Sequence, residues 1–140
     1  MGSMRMKPTL SFYIVGGVAA LAAAAYPAVW AAEAAEAQSK KVAADMTGGD
    51  PDRGAAAIDA YGCASCHTIP GVRGAKARVG PPLDYMGTRA YIGGVLANQP
   101  DNMVRWIQNP RAIDPLTAMP NLHVKESDAK DIAAYLYTLR

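Results

Sequence analysis

Five consecutive residues, Cys63-Ala64-Ser65-Cys66-His67, restrict this chain more than any other feature. Two thiols three positions apart can each form a thioether to the same porphyrin edge, and a histidine directly after the second is placed beneath the iron as its proximal ligand. C-x-x-C-H is therefore read as the attachment signature of a c-type haem, bound covalently through Cys63 and Cys66 with His67 as a metal ligand. Zinc sites and redox-active dithiols use part of the same pattern. A zinc site needs four ligands, so it would require both cysteines and both histidines of the chain, with His67 cramped beside Cys66 and His123 far away. A thiol oxidoreductase calls for a βαβ pattern around the motif, and the flanking sequence has none.

The 140 residues suffice for one domain and an extension. A single Phe with 13 Gly and 10 Pro points to a small, loop-rich domain, which gains from a large apolar prosthetic group at its centre. Both cysteines lie in the motif, leaving none for a structural disulfide. The net charge of +2 is close to neutral, so neither nucleic acid nor an anionic membrane surface is implied as a partner.

Arg5 and Lys7 precede an uncharged run from Pro8 to Ala32. Residues 1–32 are expected to be an export segment, with two readings left open. Small residues after Pro27 offer cleavage patterns ending at Ala31 or Ala37, whereas the length of the run also suits an uncleaved anchor over residues 10–32, with Tyr26 and Trp30 as interfacial aromatics. Either way the remainder faces outward, on the periplasmic side of a bacterial inner membrane. Residues 33–49 are alanine-rich and charged, lack an apolar face able to join a core, and are expected to be a linker.

The folded domain is expected over 50–140. Asp50 can cap a helix that starts at Pro51 and stops at Gly62, with Gly54, Ile58 and Tyr61 on one face. Residues 68–83 suit no regular element, and a backbone carbonyl from Gly80 or Pro81 could accept the Nδ1 proton of His67. Arg73, Lys76 and Arg78 on this loop are either a solvated surface or a cationic rim that steers an acidic partner. One short helix is expected near 90–97, and a clearer one from Pro100, capped by Asp101 and ending before Pro110. Trp106 on it is a core residue, expected near the haem with its N–H available to a propionate.

Residues 111–122 read as an extended loop held by Pro115 and Pro120. Met119 stands there, and a thioether is a soft, neutral iron ligand that pairs well with histidine for fast electron transfer. Met46, Met86, Met103 and His123 are weaker candidates, His123 being the main alternative. The chain closes on an amphipathic helix beginning at Ser127 or Asp128, with Ile132, Tyr135, Leu136 and Leu139 as its apolar face and Lys130 and Asp131 outside it.

Taken together, Cys63 to His67, the run Gly80-Pro81-Pro82-Leu83, Met119-Pro120 and the final Asp131 to Leu136 make the chain resemble class I c-type cytochromes over about residues 48 to 140. The resemblance implies an all-α fold of three to five helices around one covalent haem c, with the first and last helices of the domain crossing at Gly54 and Tyr135. It further implies that Pro81 supplies the carbonyl to His67 and that Met119 is the sixth ligand. The stretch from Arg105 to Pro120 looks most like the small periplasmic or membrane-associated cytochromes that work beside bacterial terminal oxidases. The expected function is that of an electron carrier, not an enzyme. It would take one electron from a dehydrogenase or quinol-oxidising complex and pass it to a terminal oxidase or reductase, with redox proteins as partners and no small-molecule substrate. A fixed haem subunit of a larger membrane complex is the alternative. Lys125 departs from the helix-capping Ser or Thr common in such chains.

Overall fold

The computed structural model describes the backbone from residue 10 and the side chains from residue 26 through to residue 140. The described residues form helices α1 (Leu10–Thr47), α2 (Pro51–Ala60), α3 (Pro100–Gln108), α4 (Pro110–Ile113) and α5 (Glu126–Thr138), with a hairpin of β1 (Tyr91–Ile92) and β2 (Leu96–Ala97). The domain is thus helical, as expected, with one small antiparallel sheet.

The chain divides into two compact units, Met1–Ala37 and Gln38–Arg140. In the first, Tyr26 and Trp30 are exposed, with ring centroids 6.5 Å apart. Of the segment read as export signal or anchor, residues 1–9 lie outside the described residues, the backbone is helical from Leu10, and side chains are described from residue 26. Among the residues that are described, no helix is long and apolar enough to cross a membrane.

The second unit begins earlier than the sequence suggests. The expected linker over 33–49 is helical as far as Thr47, and from residue 38 it belongs to the folded unit. Ala43 is fully buried, the Thr47 hydroxyl donates to the Ala43 carbonyl at 2.8 Å, and Gly48 ends the helix with φ +69°. A core contact made by one methyl group leaves no hydrophobic stripe to read, which is why this stretch looks featureless in the sequence.

Asp50 caps α2 as expected, its carboxylate accepting from the Asp52 and Arg53 N–H groups, with Pro51 in the first turn. The main packing contact of the unit is α2 against α5. Gly54 makes it feasible, because a Cβ there would overlap the Asp131 carbonyl of α5 and come within 3.0 Å of the Tyr135 Cβ. Asp131 corrects an expectation. It is buried at 6% exposure, not outside the packed face, and its carboxylate accepts from Arg53 Nε at 2.8 Å, Arg53 Nη2 at 3.0 Å and the Asp50 N–H at 2.6 Å. A bidentate guanidinium plus a backbone donor satisfies the charge where it is buried.

Four further differences are local. Residues 90–97 form the hairpin, not a helix, because Gly93 and Gly94 take φ +56° and +78° and reverse the chain. The cap of α3 is Gln99, with Asp101 inside the first turn. The loop expected from residue 111 contains α4, which Asn109 caps through the Ala112 N–H. The last helix starts at Glu126, behind a Lys125 that makes no side-chain cap.

The core gathers Ile58, Ile69, Met86, Ile92, Met103, Trp106, Ile107, Val124, Ile132, Leu136 and Tyr137. It wraps α5 on more than one side, since α2, α3 and the Met86–Thr88 turn all pack on that helix.

Candidate functional site

The site is built from the end of α2. Tyr61 closes the helix, Gly62 takes φ +71°, and the chain tightens into a 3-10 turn over Cys63–Ser65. The N–H groups of Cys66 and His67 both donate to the Cys63 carbonyl, at 3.2 and 3.0 Å, so the two cysteines and the histidine are fixed within one compact turn. Both thiols are free and half-buried. Burial pushes the Cys63 thiol above its ordinary pKa, the opposite of the thiolate an oxidoreductase dithiol needs.

His67 Nδ1 lies 2.7 Å from the Pro81 carbonyl oxygen. A carbonyl can only accept, so Nδ1 carries the proton and the Nε2 lone pair is left for a metal. The loop over 68–83 is laced to the motif on both sides: Gly80 N–H donates to the Cys66 carbonyl at 2.7 Å and Leu83 N–H to the Thr68 carbonyl at 2.8 Å. Gly80 has a second role that the sequence did not single out. A Cβ there would stand 2.5 Å from His67 Cε1, 2.7 Å from Nδ1 and 3.1 Å from Nε2, so the ring occupies space that only glycine leaves. Farther along, the Tyr135 hydroxyl donates to the Pro70 carbonyl at 2.6 Å and ties the loop to α5.

The structure thus joins Cys63, Cys66, His67 and Pro81 in one hydrogen-bonded arrangement. Trp106 lies elsewhere, on α3, nearly buried, its ring against the Gly93 backbone of the hairpin. Its indole N–H has no hydrogen-bond partner among the described residues, although no fully buried side-chain nitrogen or oxygen is left unsatisfied there. Met119 stands in the loop before α5, half-buried against the core, with its N–H on Thr117 Oγ1 at 3.3 Å. His123 is exposed, with φ +54° and its N–H on Asn121 Oδ1 at 2.8 Å. Arg73, Lys76, Arg78 and Val79 are exposed, Val79 at 82%.

These donors suit a haem better than a bare ion. No group of three or more His, Cys, Asp and Glu able to hold a metal by themselves occurs among the described residues. What is present is a pair of free, half-buried thiols beside an oriented imidazole, and on a separate loop a half-buried thioether; these are soft or borderline donor types, of the kind that haem iron takes.

The model of the family described as cytochrome c matches residues 51–140. The chain is 29% identical over 90 residues to cytochrome c oxidase subunit 2 of Alkalihalophilus pseudofirmus, covering 64% of this chain and 25% of that protein. It is 28% identical over 82 residues to cytochrome c oxidase subunit 2 of Bacillus sp. (strain PS3), covering 56% and 23%. The chain thus spans about a quarter of the length of these curated relatives. No solved structure gives a significant match.

Proposed function

Since the chain belongs to the cytochrome c family, we propose that it is a respiratory electron carrier whose haem is attached through Cys63 and Cys66 and ligated axially by His67 and Met119. When bound, haem c supplies a one-electron Fe(III)/Fe(II) couple, and the chain supplies attachment, ligation and shielding. His67 offers Nε2, with its ring plane set by the Pro81 carbonyl. Met119 offers a neutral thioether, which favours the reduced state and raises the potential. His123, exposed and in a left-handed turn, is the poorer sixth ligand. Trp106 has an unpartnered N–H to give to a propionate. With both axial positions filled from the chain, the protein needs no small-molecule substrate and works as a carrier, not an enzyme.

The observation that carries this reading is the 2.7 Å bond from His67 Nδ1 to the Pro81 carbonyl, made beside two free thiols on one turn. We assign the donor to a dehydrogenase or quinol-oxidising complex and the acceptor to a terminal oxidase or reductase. The exposed Arg73, Lys76 and Arg78 suit an acidic partner surface. We place the domain on the periplasmic side of an inner membrane, released by cleavage within the first 37 residues or held by residues 10–32, because a basic start and an uncharged run precede it.

The names of the curated relatives support a second reading, a haem subunit fixed within a larger respiratory complex. Purification from intact membranes separates the two. An intact N-terminus that copurifies with oxidase subunits supports the fixed subunit, and a cleaved, freely soluble protein supports the carrier. For the shared core of both readings, mass spectrometry of the purified protein should find one haem bonded to the peptide containing Cys63 and Cys66, with a low-spin c-type spectrum after reduction. A protein without covalent haem when expressed with c-type maturation would contradict both.

A further inference from the structure

Pro81 and Pro82 have no backbone N–H, so between the Gly80 and Leu83 N–H groups, which are bonded to the Cys66 and Thr68 carbonyls, the peptides around the His67 acceptor have no donor of their own. Arg89 supplies a side-chain donor at that gap. Its Nη2 donates to the Pro82 carbonyl at 2.7 Å, the Asp84 carbonyl at 2.8 Å and the Asp84 carboxylate at 3.1 Å. Arg89 is itself held through its backbone. Asn98 Nδ2 donates to the Arg89 carbonyl at 2.8 Å and to the Met86 carbonyl at 2.7 Å, while Asn98 Oδ1 accepts from the Tyr137 hydroxyl of α5 at 2.8 Å. Tyr137 is buried, and burial pushes its hydroxyl up to about 12, so it remains a donor at neutral pH. A hydrogen-bonded path therefore runs from α5 through Asn98 and Arg89 to the peptide next to Pro81.

We propose that Arg89 is a positioning residue for the axial histidine: by fixing the Pro82 carbonyl it fixes the Pro81 carbonyl that holds the His67 ring. This rests on the reading of His67 as a metal ligand. Outer partners of a ligating histidine set its ring plane and raise its basicity. Loosening the Pro81 carbonyl weakens the Nδ1 hydrogen bond, makes the imidazole a poorer donor and moves the potential upward. Lysine at position 89 keeps the positive charge, but its ammonium ends one atom short of the place where Arg89 Nη2 meets all three acceptors. Arg89→Lys therefore separates positioning from charge.

The test is NMR and redox titration of the holoprotein. In Arg89→Lys, with the low-spin spectrum retained, the His67 Nδ1 proton should exchange with solvent about tenfold faster than in the unmodified protein, the factor that corresponds to the loss of about one ordinary hydrogen bond. The midpoint potential should move upward. Exchange and potential both unchanged in the folded, low-spin variant overturn the proposal. A second measurement needs no variant: in the unmodified holoprotein the Arg89 guanidinium should rotate slowly, and free rotation overturns the proposal even where Arg89→Lys fails to take up haem. If the His67 ring protons of the unmodified holoprotein show no paramagnetic shift in the oxidised form, the ligand assignment fails and Arg89 loses its role with it.

Discussion

At the scale of single residues, two groups are small or charged for specific reasons, one at the site and one in the packing of α2 on α5. Gly80 leaves room for the His67 ring, and its φ is not in the left-handed region, so sterics alone require glycine there. Gly80→Ala should force the ring or the loop to move, costing about 1–3 kcal/mol as overpacking does. It should also lower the amount of covalent haem per polypeptide. Denaturant melting and haem quantification check both, and an Ala variant equal to the parent in both would show that the ring does not occupy that space.

Asp131 acts at the same scale on stability. The Arg53 guanidinium holds its carboxyl below the ordinary range, burial opposes that, and the Asp50 N–H adds to it. A carboxylate with a depressed folded pKa gives stability that is complete above its unfolded value of about 3.9 and is lost as pH falls through the folded value. Asp131→Asn should cost about 1–3 kcal/mol at neutral pH, in line with hydrogen bonds to charged groups. The loss of stability on acidification below about pH 4 should also be shallower in the variant than in the parent. Chemical denaturation at a series of pH values reads both. In the sequence, this aspartate looks like a solvent-facing charge, because its partner Arg53 is 78 positions away and no periodicity links the two.

At the scale of elements, α5 collects contacts from α2, α3 and the Met86–Thr88 turn, yet it begins without a side-chain cap. Lys125 has φ −64° and ψ 152°, the extended geometry that an N-cap adopts. Ser at this position, with Asp128 three residues on, would complete a capping arrangement. Lys125→Ser should raise stability by about 1 kcal/mol, and an unchanged or lower melting temperature would show that the helix start is already satisfied.

Elements also show where sequence reasoning stops. The cap and first turn of α2 were legible, because Asp50-Pro51 is a local signal read within four residues. The Gly62 stop was legible for the same reason. The hairpin was not, since two-residue strands carry too little alternation to outweigh a short apolar run, and only the positive φ of Gly93 and Gly94 reveals it. The end of α1 was missed because its one fully buried side chain there is an alanine. Within the site, the His67 to Pro81 bond could be anticipated from a proline-rich loop after the motif, whereas the Arg89 and Asn98 contacts are made by side chains on irregular backbone and leave no pattern in the sequence.

At the scale of the whole molecule, the proposed covalent haem would account for features that are otherwise unrelated. A small core is completed by α5, a loop rich in Gly and Pro folds back on the motif, and His67 turns its Nδ1 to a carbonyl and keeps Nε2 free. Each of these serves a domain that holds a haem and exchanges electrons, consistent with its membership of the cytochrome c family over residues 51–140. In the proposed ligation, His67 and Met119 fill both axial positions from the chain, so that nothing external would reach the metal. Exposing the reduced holoprotein to carbon monoxide tests this most directly. The low-spin spectrum should be unchanged in the parent and should give way to a carbon monoxide complex in Met119→Ala. Rapid carbon monoxide binding by the parent would contradict the account.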